Sequence, residues 1–259
     1  MNKILKIIGF VTSVLAIMAL LGFVGSMRSA ASCEELVVEI YSESDQKLVT
    51  EADIRNQISE KIGVIIGEPL NAIHTKTIEN ELRTIPFVKK VRVYETINKK
   101  LIVELEERKP MVRLIDNKGR TGILDEDGHL MPLSENAVLR LPVITGAFSL
   151  GEKGVDANMH VEDSAADVAL PVIYAYASAI AQNPFWKAQI QQTDLSADGD
   201  FIAFPQVGNH TINFGAANKI DEKLNRLFIF YKKGLAEAGW NKYSSINLKY
   251  KDQIVCTKK

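Results

Sequence analysis

Catalysis needs side chains of the right type brought together: a nucleophile with its base, a set of metal ligands, or a cradle for phosphate. Four histidines, His74, His129, His160 and His210, are scattered along this chain without the helical spacing of a metal pair. Asp125, Glu126 and Asp127 form an acidic triplet, and Asp194, Asp198 and Asp200 form a looser one. Neither has the ligand spacing of a calcium loop, and the first reads as a solvated hairpin tip. No glycine-rich phosphate loop and no nucleophile-elbow serine motif occurs. The two cysteines, Cys33 and Cys256, stand near opposite ends of the sequence. That count excludes a disulfide framework and leaves open one long-range bridge. The residues therefore predict a protein that is not an enzyme, with no catalytic residue, no metal and no cofactor. The charge balance, 31 basic against 32 acidic side chains, gives no electrostatic footprint for nucleic acid.

The strongest single signal is apolar. Residues 7–27, IIGFVTSVLAIMALLGFVGSM, carry no charge. A helix of that length at about 1.5 Å per residue matches the ~30 Å hydrocarbon core of a bilayer. Lys3 and Lys6 precede it, which favours a cytoplasmic N-terminus and places everything after the span on the far side. Three fates fit the segment: a retained anchor, a signal peptide cleaved near Ser29-Ala30-Ala31-Ser32, or a lipoprotein signal processed before Cys33. The length favours the anchor. Arg28 within the site, and Ala30 where a leucine is usual, weaken the lipoprotein match.

The whole chain is 46% hydrophobic and 24% charged, as globular proteins are, and the residues beyond the span leave room for one or two cored domains. Cys33–Tyr41 reads as a strand. Thr50 followed by Glu51 and Asp53 is a helix start, with Ile54, Ile58 and Ile62 on one stripe and Gly63 as the stop. A second helix is predicted over about Thr77–Ile85, ended by Pro86. Phe87–Tyr94 and Lys100–Glu107 alternate as two half-buried strands, joined through Thr96–Lys99. The order is strand, helix, helix, strand, strand.

In the remainder, Arg120–Leu133 reads as a hairpin about Asp127-Gly128, and Leu141–Gly146 as a short strand. Asp167–Gln182 reads as a helix that Asn183-Pro184 terminates. Strands follow at Ala188–Leu195, Phe201–Pro205 and Thr211–Phe214, with turns at Asp198-Gly199 and Gly208-Asn209. A long amphipathic helix is predicted over Asn218–Ala238, carrying Ile220, Leu224, Leu227, Phe228, Tyr231 and Leu235. Ser245–Tyr250 and Gln253–Thr257 close the chain as two strands around Lys251-Asp252.

The βααββ order, the junction Ile85-Pro86-Phe87-Val88-Lys89-Lys90-Val91-Arg92-Val93 and the exit Glu106-Glu107-Arg108-Lys109-Pro110 resemble a POTRA domain. Together with Leu124-Asp125-Glu126-Asp127-Gly128, Leu141-Pro142-Val143-Ile144-Thr145-Gly146 and the ending Ile246-Asn247-Leu248-Lys249-Tyr250, the whole chain resembles the bacterial cell-division family FtsQ/DivIB. Asn247 and Lys249 depart from that ending, where an acidic residue and an arginine are usual. The short tail and the stop near the last strand depart from members with longer ends.

The resemblance implies an α+β chain: a cytoplasmic tail (1–6), a single N-terminal transmembrane helix (7–27), a linker (28–34), a POTRA-like βααββ domain (35–110) and a mixed antiparallel β domain with two helices (111–259). It implies a divisome scaffold in the inner membrane at the septum, with its bulk in the periplasm, its partners FtsB-like and FtsL-like proteins and the lipid bilayer, and no small-molecule substrate. In this family an FtsB strand adds to the edge of the last strand. Here that edge falls on Tyr250, Gln253, Ile254, Val255, Cys256 and Thr257, and the physics is that of unpaired backbone groups satisfied by a partner strand. Lys258 and Lys259 beside it also fit protection against aggregation, a reading that the family resemblance places second. The wet POTRA face with Lys89, Lys90 and Arg92 reads as a solvated surface. The alternative is a POTRA-containing periplasmic adaptor or lipoprotein in envelope assembly. An outer-membrane barrel is disfavoured, because two helices interrupt the strands that follow.

Overall fold

A computed structural model describes residues 10, 12–19, 32–43, 47–151, 155, 159–161 and 169–259. Among these, no helix is long and apolar enough to cross a membrane. Phe10 and residues 12–19 are helical, and the rest of the predicted span lies outside the described residues. The expected cap at Asp167 lies outside them too. The chain divides into two compact units.

The first unit takes residues 1–41, 49–83 and 88–106. Strand β1 (Glu35–Tyr41) precedes helix α1 (Glu51–Lys61), helix α2 (Thr75–Leu82) and strands β2 (Val88–Glu95) and β3 (Lys100–Glu107). The strands lie in the order β1-β3-β2, with β1 parallel to β3. The predicted cap at Thr50 is present as a capping box. Its hydroxyl accepts from the Asp53 N–H, and the Asp53 carboxylate accepts from the Thr50 N–H at 2.8 Å. Ile54, Ile58, Ile78 and Leu82 are buried, as are Val88, Val91, Val93, Leu101, Val103 and Leu105 on the strands. Ile62 breaks from the predicted stripe and is exposed, because the helix has ended before it.

The second unit takes residues 42–48, 84–87 and 107–259. Its strands are β4 (Pro110–Asp116), β5 (Thr121–Asp125), β6 (His129–Met131), β7 (Val143–Gly146), β8 (Met159–His160), β9 (Ile190–Leu195), β10 (Phe201–Pro205), β11 (Thr211–Gly215), β12 (Tyr243–Asn247) and β13 (Val255–Lys258). They form one ten-stranded sheet in the order β13-β12-β11-β10-β9-β7-β4-β5-β6-β8. The sheet is mixed, as expected: β4–β7, β7–β9 and β11–β12 are parallel pairs and the other pairings are antiparallel. Parallel neighbours need crossover connections, and helices supply two of them. Helix α3 (Ala169–Ala181) lies between β7 and β9 in sequence, and helix α5 (Ile220–Ile229) between β11 and β12.

More helix is present than predicted. Asn183-Pro184 does end α3, but it also starts helix α4 (Pro184–Gln189). The Asn183 carboxamide oxygen accepts from the Phe185 and Trp186 N–H groups, with Pro184 in the first turn. The long predicted helix is interrupted: α5 gives way to a π-helical stretch at Phe230–Leu235 and a last short turn, α6 (Ala236–Ala238). A β-carbon on Gly234 would stand 2.6 Å from the Phe230 ring, so a larger residue there would have to displace that ring. The core under the sheet is aromatic. Tyr176 stacks on Phe201 at 4.3 Å and meets Phe214 edge-on at 5.5 Å, while buried Trp186 sits edge-on to Tyr231 at 5.5 Å.

Candidate functional site

The final strand stands at one end of the ten-stranded sheet. It pairs on one side with β12, antiparallel, with Asn247 opposite Val255, Ile246 opposite Cys256 and Ser245 opposite Thr257. Its other side is an edge, where a row of backbone N–H and C=O groups faces away from the sheet. Side chains alternate about it. Cys256 shares the face of buried Ile246 and packs with Ile254 against the core, whereas Val255, Thr257 and Lys258 are exposed. Cys256 is half-buried against the core, and burial pushes its thiol up. Cys33 and Cys256 are both free, which answers the open question of a bridge.

Of the residues expected at this edge, Val255, Cys256 and Thr257 lie on the strand, and Tyr250, Gln253 and Ile254 lie in the connection that delivers the chain to it. One arginine shapes that connection. Arg226 on α5 donates from Nη1 to the Tyr250 carbonyl at 2.7 Å and to the Gln253 carbonyl at 3.2 Å, and from Nη2 to the Leu248 carbonyl at 3.2 Å. A guanidinium presents five donors in a rigid fork, which suits it to hold several carbonyls of one turn. Asp252, at φ 58°, takes the left-handed conformation that lets the chain reverse. Leu248 N–H donates to the Asn213 carbonyl at 2.8 Å, and Lys249 Nζ pairs with Asp200 at 2.6 Å. Arg226 was not singled out in the sequence, where it reads as one more charge on the polar side of an amphipathic helix.

The polar clusters considered for chemistry are structural. Asp125 is not a solvated tip residue: it is buried, and its carboxylate accepts from the Asp127 N–H at 2.9 Å, the His129 N–H at 2.6 Å and Arg108 Nη1 at 3.1 Å. It closes the β5–β6 turn from inside. The fold also brings His129 and His160 together, ring centroids 4.9 Å apart and edge to face, across the β6–β8 pair. Burial lowers the His129 pKa, and Arg108 lowers it further. His210 Nε2 lies 2.8 Å from the Tyr231 hydroxyl within the core. Asp194 accepts from the Thr145 hydroxyl at 2.7 Å. Among the described residues no group of three or more His, Cys, Asp or Glu could hold a metal ion.

The basic POTRA face is likewise internally paired. Lys90 meets Glu106 at 3.1 Å and Arg92 meets Glu104 at 3.0 Å across the β2–β3 hairpin, and the Tyr94 hydroxyl donates to Glu104 at 2.8 Å. Such cross-strand pairs contribute to sheet register and leave little net positive field.

A family model described as FtsQ/DivIB, C-terminal related, matches residues 109–257, more than half of the chain. A second, described as a POTRA-like domain, matches residues 31–106. A search of curated proteins gives no match.

Proposed function

The chain belongs to the FtsQ/DivIB C-terminal related family and carries a POTRA-like domain ahead of that region, and from this premise we propose that it is a non-enzymatic, membrane-anchored scaffold of the bacterial divisome. Membership suggests an envelope location. Residues 7–27 anchor the chain in the inner membrane, the N-terminal tail is cytoplasmic, and both units face the periplasm at the septum. The scaffold holds FtsB-like and FtsL-like partners by strand addition at β13.

The observation that carries the docking part is the place of β13 at the open end of the sheet, with Val255 and Thr257 outward and its delivery loop held by Arg226. A partner strand laid there would satisfy the outward backbone groups and read Val255 and Thr257 by contact. The lipoprotein alternative is disfavoured by Cys33. It is 1% exposed and its N–H donates to the Glu68 carbonyl at 2.8 Å, an environment that a lipidated terminal cysteine would have to leave.

The test is capture of an FtsB-like and FtsL-like pair from the same cell by the full-length chain in detergent, beside Val255→Pro. Proline removes a backbone donor and crowds the ladder, so the variant is expected to lose the pair while keeping its circular dichroism. Unchanged capture would move the contact away from β13. Failure of the unaltered chain to capture the pair would overturn the assignment of partners.

A further inference from the structure

One end of the POTRA-like unit carries aliphatic side chains in the open. After α1, the loop Ile62-Gly63-Val64-Ile65-Ile66-Gly67 exposes Ile62 at 37%, Val64 at 76% and Ile66 at 54%, while Ile65 between them is buried. Gly63 and Gly67 turn the chain with φ of 111° and 95°. Ile65 therefore holds the loop down and its neighbours project outward. Across from it, the tip of the β2–β3 hairpin exposes Ile97 at 89%. Single exposed aliphatics are ordinary on a surface; four on two loop tips at one end of a small unit are not.

Both tips flank the point where the chain enters the unit. The Cys33 N–H donates to the Glu68 carbonyl and the Gly67 N–H to the Cys33 carbonyl, each at 2.8 Å, and Ser32 bridges to Pro69. On the hairpin side, the Glu34 N–H donates to the Lys99 carbonyl at 2.8 Å, and Lys99 Nζ pairs with Glu34 at 2.7 Å. The apolar run ends at Met27, and only Arg28, Ser29, Ala30 and Ala31 separate it from Ser32. At no more than about 3.5 Å per residue, that tether keeps Ser32, which lies beside the bases of both loops, within roughly 18 Å of the end of the run.

We propose that the loop Ile62–Gly67 and the hairpin tip at Ile97 rest in the bilayer interface, so that the POTRA-like unit docks end-on against the membrane that residues 7–27 span. This rests on the reading of residues 7–27 as a retained anchor. The short tether supplies a high effective concentration of lipid surface, so a few shallow aliphatic contacts suffice where they would bind nothing from free solution. Lys99 at the hairpin tip is paired with Glu34, so the side chain that this tip offers to the interface is the aliphatic Ile97. Docking of this kind orients the unit relative to the membrane and leaves β2, at the sheet edge, standing along the membrane normal.

The experiment uses the full-length chain reconstituted into vesicles whose acyl chains carry bromine, a quencher of indole emission. Val64→Trp and Ile97→Trp place a reporter on each tip. Tyr41→Trp places one at the far end of β1, at a side chain that is 56% exposed. The unaltered chain, with its two tryptophans, gives the baseline. Expected is a loss and a blue shift of the added emission for both tip variants and neither change for Tyr41→Trp. A chain that withstands alkaline extraction from the vesicles but shows unquenched tip indoles overturns the docking and leaves the anchor standing. Equal quenching at all three positions also overturns it, since the contact would then not belong to one end. A chain removed by alkaline extraction overturns the anchor, and this inference with it.

Discussion

The two ends of the ten-stranded sheet are finished in opposite ways. At one end, the described part of β8 is two residues, and the turn behind its neighbour is closed by a buried carboxylate, Asp125, which takes two backbone N–H groups and Arg108. At the other end, β13 contributes four residues, and the turn behind it is closed from outside by a guanidinium, Arg226, which takes carbonyl oxygens. A four-residue edge with outward Val255 and Thr257 is of a length that an incoming strand can pair with. The difference teaches that the turn at one end is held by buried polar pairing, with stability at stake, while the turn at the other is positioned from near the surface.

If that contrast is right, the largest loss follows from the sealed end. Asp125→Ala strands Arg108, whose side chain is 10% exposed, beside an unfilled site. Breaking a buried pair by removing one member costs about 3–5 kcal/mol. Equilibrium unfolding in urea is expected to shift by that amount, and a shift below 1 kcal/mol would break the comparison. Next comes acid. Asp116, in the β4–β5 turn, is buried, which alone would raise its pKa. Arg120 at 2.7 Å and the N–H groups of Leu150, Arg120 and Lys118 outweigh this and hold it at about 2. A carboxyl group depressed on folding contributes stability present above its unfolded pKa and lost as pH falls through the folded one. Its share, on the order of 2 kcal/mol, should therefore disappear between about pH 4 and pH 2. Asp116→Asn should flatten that part of the stability profile.

How much of this was open to reading in the sequence divides along physical lines. Local signals survived: the Thr50–Asp53 cap, the alternation in Phe87–Glu107 and the turn at Asp127-Gly128 are set by neighbours within a few residues. Strand β4 went unread although Val112, Leu114 and Asp116 alternate inward, because Pro110, Arg113 and Asp116 blur the pattern and it takes its meaning from β5 and β7 on either side. Asn183-Pro184 was legible as a stop but not also as a start. Asp125 misled because an acidic residue in a turn is ordinarily wet, and only the folded chain shows Arg108 arriving from 17 positions away. At the β13 end, the presence of a last strand was readable, but Arg226, which reaches the connection before it across 22 to 27 residues, was not.

Arg226 gives the intermediate test. Arg226→Ala removes three donated hydrogen bonds near the surface, with carbonyls that can turn to water, so the expected cost is about 1–2 kcal/mol, well below that at Asp125. Its signature is local. Amide hydrogens of residues 248–258 should exchange faster while those of β9 and β10 hold. Partner capture should weaken in step, since a frayed edge must be ordered again on binding. Uniformly faster exchange across the sheet would mean that the arginine supports the whole unit, and the two ends would then differ less than their geometry indicates.

The smallest effect separates backbone from side-chain recognition at β13. Val255→Thr keeps the branched β-carbon that suits a strand and exchanges an outward methyl for a hydroxyl. Val255 is 44% exposed, so stability should stay within about 0.5 kcal/mol. If a partner strand binds through the ladder, capture should persist near its original strength, in contrast to Val255→Pro. If Thr weakens capture as severely as Pro, the valine methyls fill a pocket on the partner, and the edge works as an apolar anchor more than as a template. Either result fixes what the open end of the sheet presents. Only retained binding with Thr, set against loss with Pro, fits an end whose function lies in backbone groups that the fold leaves unpaired.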